Sequence, residues 1–157
     1  MKNFKVLFFC LGNISMSTSA ESIFRKKKKK KGNADSFFID SAGTSDYHVG
    51  EEADKRMQQH AIKRNYHLTS IARQFDPDKD FDQFDLIVAM DGENYEHLKA
   101  MARNPGDEQK LVKMTDFSIR HDYDDVPDPY FGGSEGFELV LDLLEDASEG
   151  LYEKLTR

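Results

Sequence analysis

A chain of 157 residues is of a size that one domain fills, since chains divide only beyond roughly 250–300 residues. With 38% hydrophobic and 32% charged residues it is polar, yet its 12 Phe and 6 Tyr supply a core and exclude a disordered chain, while a net charge of −7 argues against a nucleic-acid footprint. No stretch approaches the roughly 18–20 apolar residues of a membrane span, so no membrane contact is expected, and without a signal peptide or anchor the expected compartment is the cytoplasm.

The first element is Lys5-Val-Leu-Phe-Phe-Cys10, an apolar and aromatic run that reads as a strand. Gly12-Asn13 breaks it, and a helix-compatible segment starts at Ser17. Similar strand signals follow at Phe37–Ala42 and Asp85–Met90, and a weaker one at Lys110–Met114. Between them, Ala53–Arg64 and Glu93–Arg103 carry apolar residues at helical spacing. The last segment is the clearest: Phe137, Val140, Leu141, Leu144, Ala147, Leu151 and Leu155 recur every three or four residues, the mark of an amphipathic helix. Short apolar strands alternating with helices predict a parallel sheet covered on both faces, which binds ligands beyond the carboxyl ends of its strands. Cys10 sits at one such end.

Two segments resist this pattern. His121–Pro129 is acidic, holds two prolines and reads as an irregular surface loop. Lys26–Lys31 is a run of six lysines that covers more than a full turn if the first helix continues. Snorkelling stems, an early helix end or an altered sequence would each account for it.

The lone cysteine precludes an intrachain disulfide or a cysteine-based structural zinc site. Its position between strand and helix brings a thiol to a loop whose N–H groups can converge on an anion. Such surroundings lower a thiol pKa from about 8.5 into the range near 3.5–7.5, which makes a nucleophile at neutral pH. The competing reading is a small buried hydrophobe.

The chain resembles the low-molecular-weight protein tyrosine phosphatase family along nearly its whole length. The resemblance rests on five segments in register: Val6-Leu-Phe-Phe-Cys-Leu-Gly-Asn-Ile14, Asp40-Ser-Ala-Gly-Thr44, Ala72-Arg-Gln74, Ala89-Met-Asp91 and Pro127-Asp-Pro-Tyr130. It implies a single phosphatase-like domain over residues 1–157, built on a four-stranded parallel sheet flanked by helices. It also implies catalysis without metal or cofactor, on a phosphotyrosine protein or small aryl phosphate. Cys10 matches the nucleophile that forms a phosphocysteine, and Asp128 the group that protonates the leaving oxygen and then helps water attack. The loop of Leu11, Gly12, Asn13, Ile14, Ser15, Met16 and Ser17 matches the cradle for phosphate or another oxyanion. Asn13, Ser17 and Ser41 match positions that hold this loop and the thiolate, while Tyr130 and Phe131 match an aromatic wall. Tyr47, His48 and Tyr123 border predicted loops, where they would either tune substrate choice or stand as surface residues, the second reading being favoured.

The departures fall in the most demanding part of the motif. Met16 stands where the family has arginine, whose guanidinium grips phosphoryl oxygens through two parallel charged hydrogen bonds. A thioether can do neither that nor balance charge, and by analogy about 10³–10⁵ in rate is at stake. Lys26 lies about 15 Å further along the helix and cannot reach back. Ser15 replaces a second loop cysteine, Thr18 a proline and Ser70 a histidine. The three loop changes, Ser15, Met16 and Thr18, read as natural loss of catalysis or deliberate redesign, leaving two expectations: a strongly weakened phosphatase, or an inactive phosphate- or phosphotyrosine-binding protein. Arsenate reduction through a cysteine relay ranks last, because one thiol cannot relay.

Overall fold

The computed structural model describes residues 4–30 and 36–156, with the side chains of Lys30 and Phe131 outside that description. Strand β1 (Phe4–Cys10) leads through a short loop into helix α1 (Met16–Lys30), and β2 (Phe37–Gly43) follows. Then come α2 (Lys55–Ile62), α3 (Pro77–Gln83), β3 (Leu86–Ala89), α4 (Gly92–Met101), α5 (Pro105–Glu108) and β4 (Leu111–Lys113). Single 3₁₀ turns at Met114–Phe117 and Pro129–Phe131 precede the long helix α6 (Gly133–Leu155). The four strands are all parallel, in the order β2-β1-β3-β4.

From Val6 to Cys10 β1 is apolar without interruption because it is a central strand covered on both faces. The period of two sends Val6, Phe8 and Cys10 to one face, where they meet Ile23 and Phe24 of α1 and Leu141 and Leu144 of α6. Leu7 and Phe9 point the other way, to Phe75, Phe81, Phe84 and Leu98. Phe24 sits at the junction, with its ring edge-on to Phe37 and tilted against Phe8 and Tyr152. The chain leaves β1 for β2 on one side and later returns to β3 on the other. This divergence makes the carboxyl end of β1, where Cys10 pairs with Gly43, the switch point of the sheet.

The lysine run is absorbed into α1, which continues to Lys30. Lys28 is buried, and its ammonium donates to the Phe37 carbonyl at 2.7 Å. Lys26 donates to the Asn65 carbonyl and lies 5.0 Å over the Tyr66 ring, while Lys27 pairs with Glu149 at 3.6 Å. Long stems thus run over apolar surface and deliver their charge to carbonyls and a carboxylate at its edge. Lys31 lies outside the described residues.

Tertiary demands also set the path of the loops. Buried Asp146 of α6 accepts the backbone N–H groups of Ile119, Arg120 and His121 at 3.0–3.1 Å, fastening the start of the irregular 121–128 segment. At Gly150 a Cβ would lie 1.8 Å from the Phe117 carbonyl oxygen, so only glycine lets that turn approach α6. Helix α3 had no counterpart in the sequence reading. It begins at Pro77 behind an Asp76 cap and buries Phe81 in the second face of the core.

Candidate active site

Residues 11–15 turn the chain from the end of β1 to the start of α1, and Cys10 closes the strand at the floor of the turn. Asn13 makes the turn possible by adopting φ 58°, a left-handed conformation that asparagine tolerates better than most residues. Its side chain serves both ends of the structure. Nδ2 donates to the Ser17 hydroxyl at 2.9 Å, and Oδ1 accepts the Arg73 backbone N–H at 3.1 Å. The Ser17 hydroxyl lies 3.0 Å from Cys10 Sγ. Because Asn13 already donates to that oxygen, the hydroxyl proton is available to a thiolate.

The loop rests on the carboxyl end of β2. A Cβ on Gly43 would sit 2.8 Å from the Leu11 carbonyl oxygen and 3.1 Å from the Asn13 nitrogen, so glycine is required there. Thr44 N–H donates to the Cys10 carbonyl, Ser45 N–H to that of Leu11 and Asp54 N–H to that of Ile14. Arg73 braces this region from below: Nε meets Asp40 at 3.0 Å, and Nη1 and Nη2 fork onto Asp80 at 3.0 and 3.1 Å. Its guanidinium is thereby engaged away from the pocket.

Burial pushes the Cys10 thiol up from its ordinary value. The opposing pull comes from the Ser17 hydroxyl and the N–H groups of Ser17, Asn13 and Gly12, which are dipoles, with no cation among them. This reverses the sequence expectation of a thiol lowered below about 7.5. The sulfur lies deep in the main core, and the dipoles at the helix start do not offset the lost hydration.

Above the thiol opens a cavity of about 610 Å³. It is lined by Cys10, Leu11, Gly12, Asn13, Ile14, Ser15 and Met16, and facing them stand Ser45, Tyr47, His48, Asp54, Asp128 and Tyr130. Ser17 is completely buried beneath it. Ser41 is elsewhere: its hydroxyl donates to buried Glu21 of α1 at 2.6 Å, beside the Ser70 hydroxyl at 2.7 Å. The Phe131 side chain lies outside the described residues. Met16, partly buried, packs against the main core from the pocket wall.

Asp128 and Tyr130 reach the cavity from the segment leading into α6, whose Phe137 packs on the same face of the sheet as Cys10. Asp128 caps the 3₁₀ turn Pro129–Phe131 by accepting the Tyr130 N–H at 2.9 Å, and its side chain is exposed to incoming ligand. The turn is seated on α6 by glycines: a Cβ on Gly136 would approach the Pro129 carbonyl oxygen to 2.5 Å. Burial and the negative charge of the adjacent Asp54 carboxylate push the phenol above its ordinary value. It therefore stays a donor at neutral pH. The outer wall continues with Phe137, edge-on to Tyr130, and the Arg56 guanidinium over both rings at 4.8 and 5.3 Å.

Sequence reasoning missed Ser45 and Asp54 and took Tyr47 and His48 as surface residues. Asp54 carried one usable signal, an acidic residue at the start of a helical pattern; it caps α2 by accepting the Met57 N–H at 3.1 Å. No group of three or more metal-ligating side chains occurs among the described residues.

A four-stranded parallel sheet with a cysteine loop at its switch point and an Asp-Pro-Tyr turn across the cavity defines a phosphatase-like architecture. Residues 5–157 match the family described as low molecular weight phosphotyrosine protein phosphatase, and the chain belongs to it. It is 45% identical over 153 residues to a candidate low molecular weight protein-tyrosine-phosphatase of Synechocystis, covering 96% of each chain. It is 39% identical to the Streptomyces coelicolor low molecular weight protein-tyrosine-phosphatase, covering 94% of this chain and 91% of that one. Among solved structures, a protein tyrosine phosphatase from Entamoeba histolytica superposes with a TM-score of 0.94 at 42% identity, covering 98% of this chain and 97% of that one.

Proposed function

We propose that this chain is a cytoplasmic phosphatase hydrolysing phosphotyrosine proteins or small aryl phosphates through a phosphocysteine intermediate, at a rate strongly weakened by Met16. The observation that carries the reading is the shared cavity, which Cys10, the residues of its loop, Asp128 and Tyr130 line together. The Cys10 thiolate attacks phosphorus, the P–O bond to the aryl group breaks, and Asp128 gives its proton to the departing oxygen. The Asp128 carboxylate then takes a proton from water as the water oxygen attacks phosphorus. The P–S bond breaks, returning the thiolate and releasing inorganic phosphate. Leu11 to Ser17 cradle the phosphoryl oxygens through backbone N–H groups, while Tyr130 flanks the ring of the substrate.

Two features weaken this machine. Met16 offers no charge to the phosphoryl oxygens, where an arginine would contribute about 4–7 kcal/mol. Burial also keeps the nucleophile as its thiol. The same features support a second reading, a phosphate- or phosphotyrosine-binding protein without turnover. Hydrolysis of a small aryl phosphate by the chain and by Cys10→Ser and Met16→Arg decides between them. Turnover abolished by Cys10→Ser supports the weakened enzyme, and turnover confined to Met16→Arg supports the binding protein.

A further inference from the structure

With Met16 neutral, the charge of a bound dianion needs another source. Arg73 is engaged by Asp40 and Asp80, and Arg56 lies over the Tyr130 and Phe137 rings. Among the residues lining the cavity, His48 alone can carry a positive charge. Its placement is specific. A Cβ on Gly12 would sit 3.1 Å from His48 Cδ2 and 3.9 Å from Nε2, so that edge of the ring faces the phosphate loop. On the opposite edge, Nδ1 lies 3.0 Å from the Glu51 carboxylate. A carboxylate on one ring nitrogen fixes the ring orientation, and in an imidazolium both nitrogens are donors. Tyr47 packs edge-on against the ring at 4.8 Å and limits its rotation.

We propose that His48, held by Glu51, is an anion-binding residue that directs its Nε2–H at the loop-bound oxyanion and supplies charge that Met16 cannot. The assignment rests on the reading of this cavity as a phosphate site. Binding of a dianion then strengthens as His48 gains its proton. Other titratable groups facing the cavity are Cys10, Tyr47, Asp54, Asp128 and Tyr130, with Glu51 behind the ring. The carboxylates oppose anion binding, and their protonation at low pH also strengthens it, so the contribution of His48 must be isolated by substitution.

Sulfate is the probe, because it remains a dianion from pH 5.5 to 8. Its affinity is measured by calorimetry or amide chemical shifts in Cys10→Ser, which removes thiol titration, with and without His48→Gln. The glutamine fills much of the space and keeps a hydrogen bond but carries no charge. The expected result is affinity that rises toward pH 5.5 and is reduced about tenfold or more at that pH by His48→Gln, the scale of a lost hydrogen bond to a charged group. In Cys10→Ser/Met16→Arg the same His48→Gln change costs much less, because guanidinium then supplies charge. An equal loss in both backgrounds, or no loss in either, overturns the assignment and leaves His48 as a shaping residue. Sulfate binding only when Met16→Arg is present overturns it while the phosphate-site reading stands; no sulfate binding in any variant defeats both.

Discussion

The Asp54 carboxylate stands beside the Tyr130 phenol on the wall of the cavity, where burial and this carboxylate push the phenol above its ordinary pKa. Asp54 in turn donates its backbone N–H to the Ile14 carbonyl and accepts the Met57 N–H at the start of α2. One residue therefore joins the phosphate loop, a helix cap and the aromatic wall. The two halves of the site meet at Asp54, although 76 positions separate it from Tyr130 in the sequence.

Met16→Arg is expected to raise the rate of aryl phosphate hydrolysis by about 10³–10⁵, the range an arginine supplies to a phosphoryl-transfer transition state. Steady-state kinetics on a small aryl phosphate measures it. A gain of less than tenfold would locate the lesion elsewhere in the loop.

Burial raises the Cys10 pKa, so the folded protein holds the thiol proton to higher pH and the thiolate fraction at pH 7 is small. The rate of alkylation is therefore expected to keep climbing as pH rises beyond the ordinary thiol range. Ser17→Ala removes the hydroxyl 3.0 Å from the sulfur and slows alkylation at neutral pH by about tenfold, the scale of a hydrogen bond to a charged group. A plateau below pH 7.5 would contradict the burial argument.

Gly136→Ala places a methyl 2.5 Å from the Pro129 carbonyl oxygen. Although alanine suits a helix better than glycine by about 1 kcal/mol, the clash is expected to give a net loss of about 1–3 kcal/mol. It also displaces the turn that carries Asp128, lowering kcat. Denaturant unfolding and kcat read the two effects separately; unchanged values in both would show that the turn does not depend on this contact.

Burial opposes ionisation of Asp146, but the N–H groups of Arg120, His121 and Ile119 outweigh it and hold the carboxyl below the usual carboxylate range. A depressed folded-state pKa adds stability above the unfolded value of about 3.9, and this is lost as pH falls through the folded one. Asp146→Asn is expected to cost about 1–3 kcal/mol at pH 7. Because the charge is gone, the variant loses less stability than the parent between pH 5 and 2. Chemical denaturation across that range tests it, and parallel curves would refute the assignment.

The sheet was legible in the sequence because β1 must be apolar on both faces and α6 on one, so their periods show through local composition. The other strands are short, and their ends moved by one or two residues because pairing decides where a strand stops. Helix α3 escaped because its one deeply buried aromatic, Phe81, leaves no repeating apolar stripe. The lysine run left several readings open, since the sequence cannot show that the Phe37 and Asn65 carbonyls and Glu149 await the ammonium groups.

Cys10 and the turn residues behind it were readable from the chain itself, being neighbours in a segment whose chemistry depends on type and spacing. Asp128 and the departure at Met16 were legible only through the family resemblance. Only the tertiary structure placed Asp54 and His48 in the cavity, sent Ser41 to Glu21 and committed Arg73 to Asp40 and Asp80. Each of these depends on contacts between segments tens of residues apart. The direction of the Cys10 pKa was decided there too, because hydration lost on burial is a property of the packed sheet and helices and leaves no mark in the loop's own sequence.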